Sequence, residues 1–275
     1  MGEVCCSGVI YTGDCCSSTD CISPETCASH VCSEPGPIAD TYTNINDIIY
    51  DGQEDLSVWS WSDPANPHKL ANTIIIKADL NQIPQGSSVT EARLELYQTG
   101  TSGLSTYSTT IHSIINKNPV ISEVTGYDAS ATEQWTAVLP GTTYNNVPLG
   151  LADIGPVEDS LVLDSLSGTK TYIITNMVQN WVNNPSTNFG MLIKGEETDS
   201  ETGRIFASSE NSNTLIRPNL IVNYSSGTTC SPADNNPTNG VVSITELMSY
   251  ISQWKSGSVT ISELMTAIGE WKNGC

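Results

Sequence analysis

The chain has 275 residues, of which 10 are basic and 30 acidic, for a net charge of -20. That field repels a nucleic-acid backbone or an anionic membrane face over most of the surface, and leaves cations, neutral glycans and further copies of the chain as partners. No apolar run approaches the roughly 18 residues that span a bilayer, so a membrane-spanning helix is excluded.

Residues 1–33 hold seven cysteines, Cys5, Cys6, Cys15, Cys16, Cys21, Cys27 and Cys32, and no other occurs before Cys230 and Cys275. Adjacent thiols have little use in a reducing compartment but act as staples in an oxidising one, so the chain is read as secreted, extracellular or displayed on the cell surface. The opening MGEVCCSG lacks the basic and apolar regions of a signal peptide, and export is inferred from the cysteines alone. A segment this short cannot bury a core that offsets its chain entropy, and a disulfide-rich knot is expected to supply the difference. Seven is an odd number. One thiol is therefore free, joined to another chain, or paired outside the module. Zinc is disfavoured because the segment has no C-x-x-C pair and its one histidine is His30.

Residues 34–39, with Pro35, Gly36 and Pro37, read as a stiff linker into a module at 40–225. Early in that module VWSWSDPANP sets Trp59 and Trp61 two apart, on one side of an extended chain. If exposed, the indoles can stack on sugar rings while Asp55 or Asp63 accepts hydroxyl hydrogen bonds; the competing reading is a pair of core tryptophans on an inward face. Further along, TIIIKADL at 73–80 runs into the turn IPQGSS, and TEARLELYQ at 90–98 alternates Ala92, Leu94 and Leu96 with polar residues. More strands are expected at 109–116, 160–166, 189–195, 203–210 and 218–224. Many short strands between Gly, Pro and Asn turns predict an antiparallel β-sandwich. One helix interrupts them: Ile174, Met177, Val178 and Trp181 fall at helical spacing, Thr175 or Asn176 can cap the start, and Pro185 ends it.

The runs NTIIIKADLNQIPQGSSVTEARLELYQ, NMVQNWVNN, GMLIKGEE, RIFASSE and RPNLIVNY, with DTY at 40–42, occur in an order that resembles the DNRLRE-type domain of secreted bacterial and archaeal proteins. The resemblance covers most of residues 40–225 and departs at a long, less regular insertion near 99–160. It implies a jelly-roll-like module that binds or builds outside the cell and performs no catalysis.

Residues 226–275 contain a repeat of period 17, VSITELMSYISQWKSG and VTISELMTAIGEWKNG. Leu247, Ile251 and Trp254 form one apolar stripe and Leu264, Ile268 and Trp271 its copy, which predicts a small helical hairpin tied at its ends by Cys230 and Cys275. The preceding ADNNPTNGVVSITE resembles the calcium loop of dockerins and EF-hands, with Asp234, Asn236, Asn239, Ser243, Glu246 and the Val241 carbonyl as donors. Its extra residue, Pro237 and mostly neutral donors predict weak affinity for calcium. Capping competes with it, because Ser243-x-x-Glu246 and Thr260-x-x-Glu263 both fit a capping box.

His30, His68 and His112 are scattered and belong to no hydrolase or phosphate-binding motif. The expected function is that of a non-catalytic secreted or cell-surface structural protein that self-associates into an extracellular assembly or filament. The alternative is a carbohydrate-binding adhesin or accessory module of the extracellular matrix that meets extracellular polysaccharide.

Overall fold

The structure, a computed structural model, describes residues 3–6, 9–12, 26–28, 31–33, 38–61, 69–138, 146–225, 231–234 and 242–273. Four short strands come first: β1 (Glu3–Cys6), β2 (Val9–Thr12), β3 (Thr26–Ala28) and β4 (Val31–Ser33). The body follows with β5 (Ile38–Asn44), β6 (Asp55–Ser60), β7 (Leu70–Ala78), β8 (Ser88–Ser102), β9 (Tyr107–Ile114), β10 (Asp128–Ser130), β11 (Glu133–Gln134), β12 (Ile154–Leu163) and β13 (Gly168–Ile173). Helix α1 (Thr175–Asn183) precedes β14 (Met191–Gly195), β15 (Thr202–Ala207) and β16 (Asn219–Ser225), and α2 (Ile244–Lys255) and α3 (Ile261–Asn273) close the chain. Strand β5 begins at Ile38, inside the segment expected to be linker.

The molecule is mainly antiparallel β, a nearly closed sheet with three helices. Two long strands carry the closure. On β7, Asn72 pairs with Asn44 of β5 and with Trp59 of β6, so these neighbours take opposite edges, and β14 continues the β6 edge at Ile74 to Ile76. On β8, Glu95 pairs with Thr171 of β13 and Asn219 of β16, while Gln98 pairs with Gly168 of β13 and Phe206 of β15. Thus β15 and β16 lie end to end on one edge of β8.

Alternation places Leu94 and Leu96 of β8, Leu56 and Val58 of β6 and Ile74 and Ile76 of β7 in the central core, all at 2% exposure or less. The apolar run at 74–76 has a second use. Ile75 points the other way and packs with Ile114, Val124, Ala129, Trp135 and Leu192, where the segment between β9 and β12 folds over the outer face of β7 and β14. A strand buried on both faces reads as continuous apolar sequence rather than as alternation. Trp135 anchors this cover by donating from Nε1 to the Thr125 carbonyl at 3.1 Å, and Asp153 accepts from both the amide and the hydroxyl of Thr136 at 2.7 Å.

Helix α1 lies where the apolar spacing predicts, and buries Met177, Val178, Trp181 and Val182 against the core. Its start differs. Neither Thr175 nor Asn176 caps it: the Thr175 hydroxyl accepts from the Ala92 amide at 3.0 Å instead, and the Met177 amide donates 3.1 Å to Glu158 of β12. A carboxylate from another strand therefore satisfies a free amide of the first turn and meets the positive end of the helix.

Candidate functional site

Along β6 the inward residues Leu56, Val58 and Ser60 are buried, so Asp55, Ser57 and Trp59 face outward. Trp59 is half-buried and Trp61, just past the strand, is 41% exposed. The reading of two inward core tryptophans is therefore wrong. The bulky neighbour of Trp59 across the sheet is missing by design of the sequence: it pairs with Gly203 of β15, and a β-carbon there would sit 2.0 Å from Trp59 Cε3. The indole thus lies flat over bare backbone.

Beside it runs an open groove of about 500 Å³, lined by Tyr42, Gln53, Glu54, Asp55, Ser57 and Ile205. Asp55 accepts from the Thr99 hydroxyl at 3.4 Å. Asn44 donates 2.6 Å to Asn72, and Asn72 donates 3.0 Å to the Ser57 hydroxyl oxygen, which leaves the Ser57 proton to point elsewhere. Tyr42 stacks on Tyr50 with ring centroids 4.3 Å apart. Burial, then the Tyr50 and Asp55 oxygens, push the Tyr42 phenol up to about 12, so it stays neutral and able to donate. A flat aromatic face beside carboxylates and hydroxyls is suited to a polyol. Asp63 lies outside the described residues, between Trp61 and Lys69, whose amide and carbonyl bond at 2.6 Å.

The far end of the groove is held by a contact that local sequence patterns do not reveal. Asp40 of β5 is 1% exposed and accepts from the Ser209 amide at 3.0 and 3.2 Å. Ser208 donates through its hydroxyl to the Gln53 carbonyl at 2.6 Å and through its amide to the Glu54 carbonyl at 3.0 Å, and the Asn211 amide group adds a bond of 2.9 Å to Glu54. The start of β5, the turn before β6 and the loop after β15 are thereby joined. Desolvation, and next the charge of Glu210, raise the Asp40 carboxyl to about 7.

His112 is a buried strand residue. Its Nδ1 donates to the Gly155 carbonyl and its Nε2 faces the Thr110 hydroxyl, each at 2.9 Å, and burial lowers its pKa. His30 and His68 lie outside the described residues.

In the tail, Leu247, Tyr250, Leu264 and Ala267 share a small core with Ala233 and Val242. Both capping boxes form. The Ser243 amide donates 2.9 Å to Glu246 while the Glu246 amide donates 3.2 Å back, and Thr260 and Glu263 repeat the exchange at 2.6 and 3.3 Å. Of the six residues expected as calcium donors, Asp234, Ser243 and Glu246 are described, with Asp234 and Glu246 each 4% exposed; Asn236, Asn239 and Val241 lie outside the described residues. Among the described residues no group of three or more His, Cys, Asp or Glu side chains is placed to hold a metal. The cysteines also fall outside: Cys15, Cys16, Cys21, Cys230 and Cys275 entirely, and Cys5, Cys6, Cys27 and Cys32 in their side chains. No protein-family model and no curated protein matches the chain.

Proposed function

We propose that the protein is a non-catalytic extracellular structural module that self-associates into an extended assembly, with a jelly-roll-like sandwich as its body and disulfides bracing its ends. The observation that carries this reading is an apolar seam at one margin of the sheet. Strand β12 is hydrogen-bonded to β9 along one edge, and its sequence neighbour β13 pairs with β8. Around this margin Val157 is 54%, Val162 71%, Leu166 68% and Ile173 48% exposed. Four large apolar side chains exposed along the margin where β12 and β13 meet form a surface for contact with a second chain. Light scattering of the intact protein tests it: wild type associates, and Val162→Glu with Leu166→Glu lowers the mass at least twofold at equal concentration. A wild type that stays monomeric at about 100 μM, well above the micromolar range of ordinary specific interfaces, refutes the reading.

A second reading is favoured by the outward indoles. Trp59 over Gly203, the exposed Trp61 and the carboxylate of Asp55 support binding of extracellular polysaccharide through ring stacking. Retention on an insoluble polysaccharide, at least tenfold weaker in Trp59→Ala with Trp61→Ala, is the expected result. Equal retention of the double variant removes this face from consideration. The calcium loop of Asp234 and Glu246 remains part of the same proposal, as a brace for the tail rather than as a catalytic metal.

A further inference from the structure

The period-17 repeat copies more than a core. Its buried positions recur as Leu247 with Leu264 and Tyr250 with Ala267, but an exposed apolar set recurs at the same interval. Ile244 is 55% and Ile261 56% exposed, Met248 57% and Met265 60%, Trp254 39% and Trp271 47%. Ile244, Met248 and the partly buried Ile251 lie one helical turn apart along α2, next to the buried stripe, and Ile261, Met265 and Ile268 do so on α3. The short connection at 256–260 turns α3 back beside α2. Two equivalent stripes on antiparallel neighbours are related by a local twofold axis normal to the pair, which brings both to the same face.

Charge says what covers that face. The whole chain carries -20, a repulsion that opposes contact between copies over most of its surface. Across residues 242–273 the charged side chains are Glu246, Glu263 and Glu270 against Lys255 and Lys272, a net of one negative charge. The largest duplicated apolar face thus coincides with a nearly neutral part of the chain. The four half-exposed side chains of these stripes, Ile244, Met248, Ile261 and Met265, offer on the order of 400 Å² per copy, about half of the ~800 Å² per partner of a standard interface.

From this placement we infer that α2 and α3 dock on the same pair of a second copy, face to face, as a four-helix bundle with Ile244, Met248, Ile261 and Met265 at its centre. The internal repeat makes the face self-complementary, as a twofold contact requires. The inference deepens the self-association reading and is separate from the β12 edge. Each contact alone stops at a dimer; a protomer with both extends into an open chain.

The experiment is sedimentation of the intact protein at about 100 μM in four forms: wild type, the edge variant Val162→Glu with Leu166→Glu, the tail variant Met248→Glu with Met265→Glu, and all four changes together. The substituted positions are exposed, and unchanged circular dichroism certifies the fold. Expected are dimers for the edge variant and monomers when the tail changes are added. An edge variant that is already monomeric overturns the helical interface and leaves the β12 reading standing. A quadruple variant that stays dimeric also overturns it. A monomeric wild type overturns both.

Discussion

Arg204→Met is expected to lower the unfolding free energy by about 3 to 5 kcal/mol, and Arg204→Lys by much of that amount. Arg204 is 0% exposed. Its guanidinium donates to the carbonyls of Asp164, Gly203 and Leu104 at 2.9 Å and of Ser102 and Leu163 at 3.3 Å, and lies 5.7 Å above the Tyr107 ring. Besides Gly203 of β15 itself, those carbonyls belong to the end of β8, the turn after it and the end of β12 with the residue that follows, so one fork joins β8 and β12, which share no ladder. Methionine fills the space but leaves buried acceptors without donors, each costing ~1 kcal/mol or more. Lysine keeps the charge but cannot reach five acceptors from one plane. At the size of this domain the loss amounts to roughly 10 °C in melting temperature. A lysine variant that melts within about 1 °C of wild type would show that the fork adds nothing beyond its charge.

The second large effect is on pH dependence. Asp40 holds its proton up to about 7 in the folded state, against 3.8 for the ordinary aspartate carboxyl of an unfolded chain. Below the lower value both states are protonated, and the site adds no penalty. Between the two values the unfolded chain releases a proton that the folded one retains, so stability falls as pH rises, and above the folded value the penalty is complete. Its full size is on the order of 4 kcal/mol. Asp40→Asn keeps an oxygen to accept from the Ser209 amide and removes the titration. Melts at pH 5 and pH 8 should therefore show a wild type that loses more stability than Asp40→Asn. General repulsion in a chain of charge -20 slopes the same way in both proteins, so the difference between them is the quantity of interest. Parallel curves would rule out Asp40 as the source.

Features set by neighbouring residues were legible in the sequence. Strands β7, β8, β9, β14, β15 and β16 lie on their expected runs, and α1 on its apolar spacing, because alternation and helical periodicity are local signals. Both capping boxes follow from a serine or threonine three residues before a glutamate. What stayed hidden depends on distant partners. Glu158 reaches Met177 from another strand, and Asp40 meets Ser209 across 169 positions. A clue to Arg204 was present: it shares parity with Thr202 and Phe206, which places a charge on the inward face of β15. The tryptophan pair was ambiguous because alternation fixes that Trp59 and Trp61 share a side, while the burial of Leu56 and Val58 decides which side.

The segment between β9 and β12 looks in the sequence like an expendable excursion. With Val124, Ala129 and Trp135 seated on Ile75 and Leu192, it is instead a roof. Engineers trimming it to a tight hairpin would uncover a greasy sheet surface in the middle of the domain, and the shortened product would precipitate rather than simplify.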